Sequence, residues 1–155
     1  MRASTLIWPR HTLTITRQAD APGYFRFACL HHKAEPFHDE ACQAYKAAQI
    51  RLTHSYVLAE YVALGHARRL PRPKVLSFIA DLVADPDIET AWVDRALHQK
   101  AMDLLQARRD KSYSLCDAVS FVLMRDRKIN EALTTDHHFE QEGFRKLLGE
   151  PGGDT

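Results

Sequence analysis

Four carboxylates offer the most chemistry in this sequence: Asp20, Glu60, Asp117 and Asp136. Carboxylates brought together repel. Two unit charges about 4 Å apart cost on the order of 4 kcal/mol at an effective dielectric near 20. A shared proton or a cation removes that cost. Oxygen-only ligands suit Mg2+ or Mn2+, which keep several waters and accept a phosphate oxygen as a further ligand. Such an ion favours the hydroxide form of water and stabilises charge on a phosphoryl group, so phosphodiester hydrolysis is the natural chemistry of the cluster. Each acid also has a plain structural role. Ser114-Leu-Cys-Asp117 is an S-x-x-D capping box. Asp136 ends the run "EALTTD" as a turn residue would. Glu60 could sit on the solvated face of its helix, although Val57, Leu58, Ala59, Val62 and Leu64 around it are apolar. Asp20 follows the polar pair Arg17-Gln18. The chemistry therefore depends on the four acids meeting.

Alternating strands and helices provide a way for them to meet. "TLTIT" (12–16) reads as a strand running toward Asp20, and "YFRFACL" (24–30) as a short helix. Pro36 suits the first turn of a helix over about 36–49. "IRLTH" (50–54) is a buried strand, and "SYVLAEYVALGHA" (55–67) a helix carrying Glu60 in its second turn. "RRLPRPK" (68–74) is a basic, proline-broken loop before a helix over 74–85. "IETAWV" (88–93) is strand-like, and Asp94 caps a helix reaching about Arg108. "SLCDAVSFVLMRD" (114–126) is apolar nearly all round and predicts a buried helix with Asp117 in its first turn. Strands over 131–136 and 144–148 follow.

This order predicts a three-layer α/β/α domain with a central, mainly parallel sheet. Residues 1–11 read as a poorly ordered leader, 12–148 as the single domain and 149–155 as a loose tail. In such a sheet each crossover helix begins at the strands' C-terminal edge, where ligand sites form. Glu60, Asp117, Asp136 and Asp20 are all predicted on that edge.

Composition narrows the alternatives. The chain has 155 residues, enough for one sizeable core, and 45% of them are hydrophobic. A net charge of +1 creates no global field for nucleic acid, so such binding requires a local patch. Cys29, Cys42 and Cys116 are widely spaced, which indicates free thiols in a reducing compartment. Neither a transmembrane run nor a signal-peptide h-region is present, and the plain reading is a soluble cytoplasmic protein. His31, His32, His38, His137 and His138 show no HxxxH or HExxH spacing, and adjacent histidines are expected to point apart. Neither a GxGxxG nor a P-loop motif supports a nucleotide site. Cys116 reads as core packing. Of the basic clusters, 107–111 and 125–128 read as helix C-terminal charges, whereas 68–74 is a candidate RNA-backbone contact.

"SYVLAEYVAL" and "YSLCDAVSFVLMRDRKINEALTTDHHFEQEGF", in that order, resemble PIN-domain proteins, specifically the VapC-type ribonuclease toxins of bacterial toxin–antitoxin pairs. The resemblance spans roughly residues 20–148 and is strongest over 110–144. It implies an endoribonuclease dependent on Mg2+ or Mn2+, with Glu60, Asp117 and Asp136 at the family's later acidic positions. Asp20, in "ADAPGYFRFACL", is the best match to the first. It also implies an RNA substrate, a cognate antitoxin and a plausible homodimer. The family's first acid ordinarily lies within a few residues of the start, whereas here nineteen residues precede Asp20 and Pro22 follows it. Thr134 and Thr135 are candidates for hydrogen bonding a ligand or water. The alternative is a PIN-like module that binds RNA or a protein without cutting.

Overall fold

The structure, a computed structural model, describes residues 13–17, 38–67, 69–134 and 136–148. The predicted leader, the 24–30 helix, Asp20, Thr135 and the tail lie outside the described residues. Five strands form one sheet in the order β3-β2-β1-β4-β5, with β1 Leu13–Arg17, β2 Ala48–His54, β3 Glu89–Ala91, β4 Glu131–Leu133 and β5 Arg145–Lys146. The helices are α1 His38–Lys46, α2 Ser55–Ala67, α3 Arg72–Ala84, α4 Arg95–Ala107, α5 Leu115–Asp126 and the one-turn α6 His138–Gln141.

β2 and β3 pair in parallel, as do β4 and β5, and β1 is antiparallel to both β2 and β4. Four strands therefore share one direction, and the sheet is mainly parallel as expected. The direction of β1 is a correction. Its first residue, Leu13, pairs with Leu133 at the end of β4, and its last, Arg17, pairs with Ala48 at the start of β2. β1 thus runs away from the edge where β2 and β4 end. Hydrophobic alternation makes a strand but carries no direction, which comes only from its partners.

Both faces of the sheet are covered. Successive residues of β4 serve different clusters, as the two-residue strand period requires: Ala132 joins the main core and Leu133 packs against Tyr45 and Ala48. Helix α5 lies at the centre of the main core. Ser114 Oγ accepts from Asp117 N at 3.0 Å and Asp117 Oδ2 accepts from Ser114 N at 2.8 Å, completing the predicted capping box. Beyond the cap, Ala118, Val119, Phe121 and Met124 are fully enclosed. The Phe121 ring meets Tyr113, Phe139 and Phe144 at centroid distances of 5.1, 4.8 and 5.7 Å. Asp94 caps α4 by accepting from Leu97 N at 2.8 Å, as its sequence position predicts.

Helix α2 occupies the predicted span, and α3 begins at Arg72, just after Pro71. The chain extends earlier than predicted at β2, which starts at Ala48 because α1 ends at Lys46. The strand expected over 131–136 stops at Leu133, and Thr134 N turns back to Ala132 O. Asp136 therefore sits just past the ladder, on a turn leading into α6.

Candidate active site

β2 and β4 end at one edge, and α2 starts there directly after His54. The capping box fixes Asp117 in the first turn of α5, where its side chain is only 5% exposed. Asp136 is fixed by its own turn. Its amide donates to Thr134 Oγ1 at 3.0 Å, and its Oδ1 accepts from His138 N at 3.0 Å. Thr134 thus shapes the turn that presents Asp136. The turn role and the site role of Asp136 coincide.

The two aspartates meet at a histidine. His138 Nδ1 lies 3.2 Å from Asp136 Oδ1 and 3.9 Å from Asp117 Oδ2, and all three side chains are nearly enclosed. Its other nitrogen, Nε2, is 3.2 Å from Ser112 Oγ, and Tyr113 packs edge-on against the imidazole at 5.2 Å. His137 is 62% exposed, with Nδ1 3.6 Å from Asp136 Oδ1. The expectation that adjacent histidines diverge fails here: the two ring centroids are 4.4 Å apart. His137 has helical φ and ψ at the start of a tight one-turn helix, so the argument from extended or regular helical geometry does not apply. His138 is the candidate site residue that sequence reasoning passed over, reading it as a surface or hydrogen-bonded histidine. Its signal was weak: a histidine two residues after a turn aspartate, followed by a core phenylalanine.

The donor set, one carboxylate and two imidazoles, fits a divalent cation. Ligand atoms of Asp136, His137 and His138 lie within 4.8 Å of one another, and Asp136 Oδ2 is buried with no hydrogen-bond partner among the described residues. Carboxylate oxygens suit Mg2+ or Mn2+, whereas imidazole suits ions such as Zn2+ or Fe2+. Glu60 stands half-buried in the second turn of α2, at the predicted edge, but outside that 4.8 Å group. Asp20 lies outside the described residues, and β1 leads away from this edge.

An ion cluster around one enclosed carboxylate, with its arginines half-exposed, ties the turn to its neighbours. Glu142, just after α6, has a carboxylate side chain 1% exposed. It accepts from Arg108 Nε at 2.8 Å, from the Tyr113 hydroxyl at 3.1 Å and from Arg125. Burial alone would push the Glu142 carboxyl up, but the hydrogen bonds from Arg108, Arg125 and Tyr113 outweigh it and hold it below its ordinary value. The Tyr113 hydroxyl is pushed up to about 12, by burial first and then by its bond to Glu142. One carboxylate so joins α6 to the end of α4 and the end of α5.

Behind Asp117, Ser120 Oγ donates to Cys116 O at 3.1 Å and lies 2.8 Å from His54 Nε2. The single hydroxyl hydrogen goes to the carbonyl, so His54 donates through Nε2. Cys116 is buried in α5, as core packing predicts. The basic residues near the helix ends are engaged: Arg108 and Arg125 with Glu142, and Arg127 with Glu89. Of the basic stretch 68–74, the described residues 69–74 follow the last turn of α2, one whole helix of about 20 Å after the site edge. Among the described residues no helix is long and apolar enough to cross a membrane.

No protein-family model and no curated protein matches the chain. Among solved structures it is similar to VapC20 of Mycobacterium tuberculosis, a toxin that cleaves the sarcin-ricin loop. The match has a TM-score of 0.66 and 24% sequence identity over 76% of this chain and 90% of that one. At this identity the likeness concerns the fold, an α/β fold that this chain shares with that toxin.

Proposed function

We propose that the protein is a divalent-metal-dependent endoribonuclease, the toxin component of a toxin–antitoxin pair. The observation that carries this reading is the meeting of Asp117 and Asp136 at one buried imidazole nitrogen, at an edge where strands of a parallel-type sheet end. Two carboxylates enclosed together form an unfavourable arrangement unless they share a proton or a cation, and a cation also supplies the chemistry of phosphodiester hydrolysis. The fold shared with a toxin that cleaves the sarcin-ricin loop favours RNA as the substrate.

Asp117 and Asp136 would hold the ion, with His138 beside them and Glu60 as the next carboxylate on the edge. The ion, when bound, polarises a phosphoryl oxygen and lowers the pKa of water. The chain's own part is to fix the ligands. Ser114 orients Asp117, Thr134 orients Asp136, and Glu142 keeps the turn against α4 and α5. Asp20 stands as a fourth acid by resemblance. A cognate antitoxin and a homodimer belong to the same reading.

One observation favours a second reading, a module that binds RNA or a protein partner without cutting. It is the direction of β1, which leads away from the acidic edge. Cleavage of RNA by the wild type and by Asp117→Asn, with Mg2+ or Mn2+ and with EDTA, separates the two. The nuclease reading requires cleavage that both the substitution and EDTA abolish. Absence of cleavage, or cleavage that survives both, rejects it.

A further inference from the structure

At the same edge, the connection from β3 to α4 exposes an indole. Trp92 is 66% exposed, more than any other exposed large hydrophobic side chain among the described residues. The backbone around it is fixed. Ala91 pairs with His54, Val93 N donates to Ser55 Oγ at 3.1 Å, and Asp94 caps α4. Ala91 and Val93 both pack against the main core, so strand alternation turns the residue between them outward. The result is an aromatic side chain on a fixed stretch of backbone, facing solvent on the side away from the main core.

The ring's place in the sheet relates it to the acids. β3 ends at the same edge as β2 and β4, and three strand spacings, about 14 Å, separate it from β4. His54, in register with Ala91, reaches Ser120 on the helix turn next to Asp117. A single RNA strand whose phosphate reaches Asp117 and Asp136 can cross this edge with a neighbouring base at the indole. Among the described residues the charges of the edge include Asp117, Asp136, Asp94 and Arg95, and the basic residues over 69–74 lie a whole helix away. Base–aromatic stacking adds affinity for a single strand that does not depend on charge, beside whatever the phosphates gain at the ion. A second protein copy fits less well. Asp94 and Arg95, the next exposed residues along the chain, are charged, and a lone indole is far smaller than the apolar patch a stable dimer buries.

We infer that Trp92 is a stacking platform for a base of the RNA, positioning the strand across the acidic edge; this rests on the ribonuclease reading above. Binding is measured by anisotropy of a labelled single-stranded RNA on the full chain carrying Asp117→Asn, with Mg2+, so that nothing is cut. Adding Trp92→Ala is expected to weaken binding by roughly 5- to 150-fold, the range for loss of one stacked base. Trp92→Phe, which keeps an aromatic face, is expected to retain most of the affinity. An RNA with an abasic site at the stacked nucleotide is expected to bind the parent and the Trp92→Ala chain equally, and the sedimentation mass is expected to stay unchanged. The inference is overturned if Trp92→Ala binds as its parent does, if every abasic RNA still separates the two chains, or if binding falls only because an oligomer has come apart. Cleavage by the otherwise wild-type chain separates this inference from the reading it rests on. A chain that cuts no RNA removes the ribonuclease reading, whereas a Trp92→Ala chain that cuts sub-saturating RNA as fast as wild type removes the stacking alone.

Discussion

Asp117 has two duties, and two substitutions separate them. In Asp117→Asn the side chain keeps an oxygen for the Ser114 amide, now bonded at 2.8 Å, and Ser114 Oγ still accepts from the amide of residue 117. The cap survives while the charge is removed. Asp117→Ala removes the acceptor as well, at a cost of roughly 1 kcal/mol of capping. The charge term has the opposite sign. Both aspartates reach His138 Nδ1, at 3.9 and 3.2 Å, so the carboxylates lie at most about 7 Å apart and repel by roughly 2 kcal/mol at an effective dielectric near 20. In EDTA, Asp117→Asn is therefore expected to melt no lower than wild type, and Asp117→Ala about 2 to 4 °C below Asp117→Asn. With Mn2+ at about 100 times its Kd, wild type gains roughly 2.7 kcal/mol, or about 5 to 10 °C, and both variants gain far less. Thermal melts of the three chains with EDTA and with Mn2+ test this, alongside RNA cleavage, which both substitutions should abolish. A wild-type melting temperature that Mn2+ leaves unmoved, or an Asp117→Asn chain that melts well below wild type in EDTA, refutes the reasoning.

Other consequences follow from the packing. The raised Tyr113 hydroxyl holds its proton more tightly folded than unfolded, so its stabilisation is whole below about pH 10 and is lost as pH rises toward about 12. Urea unfolding across that range should show a steeper alkaline fall for wild type than for Tyr113→Phe. Phe121→Ala, at a fully enclosed position stacked on Phe144 and meeting Tyr113 and Phe139 edge to face, is expected to cost about 3–5 kcal/mol. A loss below about 1 kcal/mol in chemical denaturation would contradict the packing described. Gly65→Ala places a Cβ 2.9 Å from Val75 Cγ2 and 3.2 Å from Cγ1, against a side chain that is stiff in a helix. Overpacking of about 1–3 kcal/mol should exceed the helix-propensity gain of about 1 kcal/mol, lowering the urea midpoint rather than raising it.

Local signals in the sequence were the ones that predicted the structure well. The span of α2 follows from its apolar run after Ser55, and the caps at Asp94 and Ser114 follow from side chains that bond within four residues. The approach of Asp117 and Asp136, the candidate site residues, was legible because a strand end and a helix start at one edge follow from element order alone. The direction of β1 was not legible, since it depends on pairing with residues far along the chain. His138 was missed because a single tight turn, rather than any periodic element, sets its direction, and α6 is too short to show a period. The engagement of Glu142 with Arg108, Arg125 and Tyr113 is likewise a tertiary fact. Those residues are spread over more than thirty positions, and nothing in their spacing announces it.

The uneven burial of the helices has a consequence for local opening. Helix α5 encloses eight of its twelve residues, whereas α2 encloses only Leu58 and Gly65 and α3 only Val75. Amide hydrogens in α5 should exchange only through near-global unfolding, and those of α2 and α3 through smaller openings of lower free energy. Asp117 thus belongs to the most protected cooperative unit and Glu60 to a less protected one. A ligand gripping both would tie the two units together, and its footprint in exchange data would be slowed amides along α2, far beyond the atoms it touches.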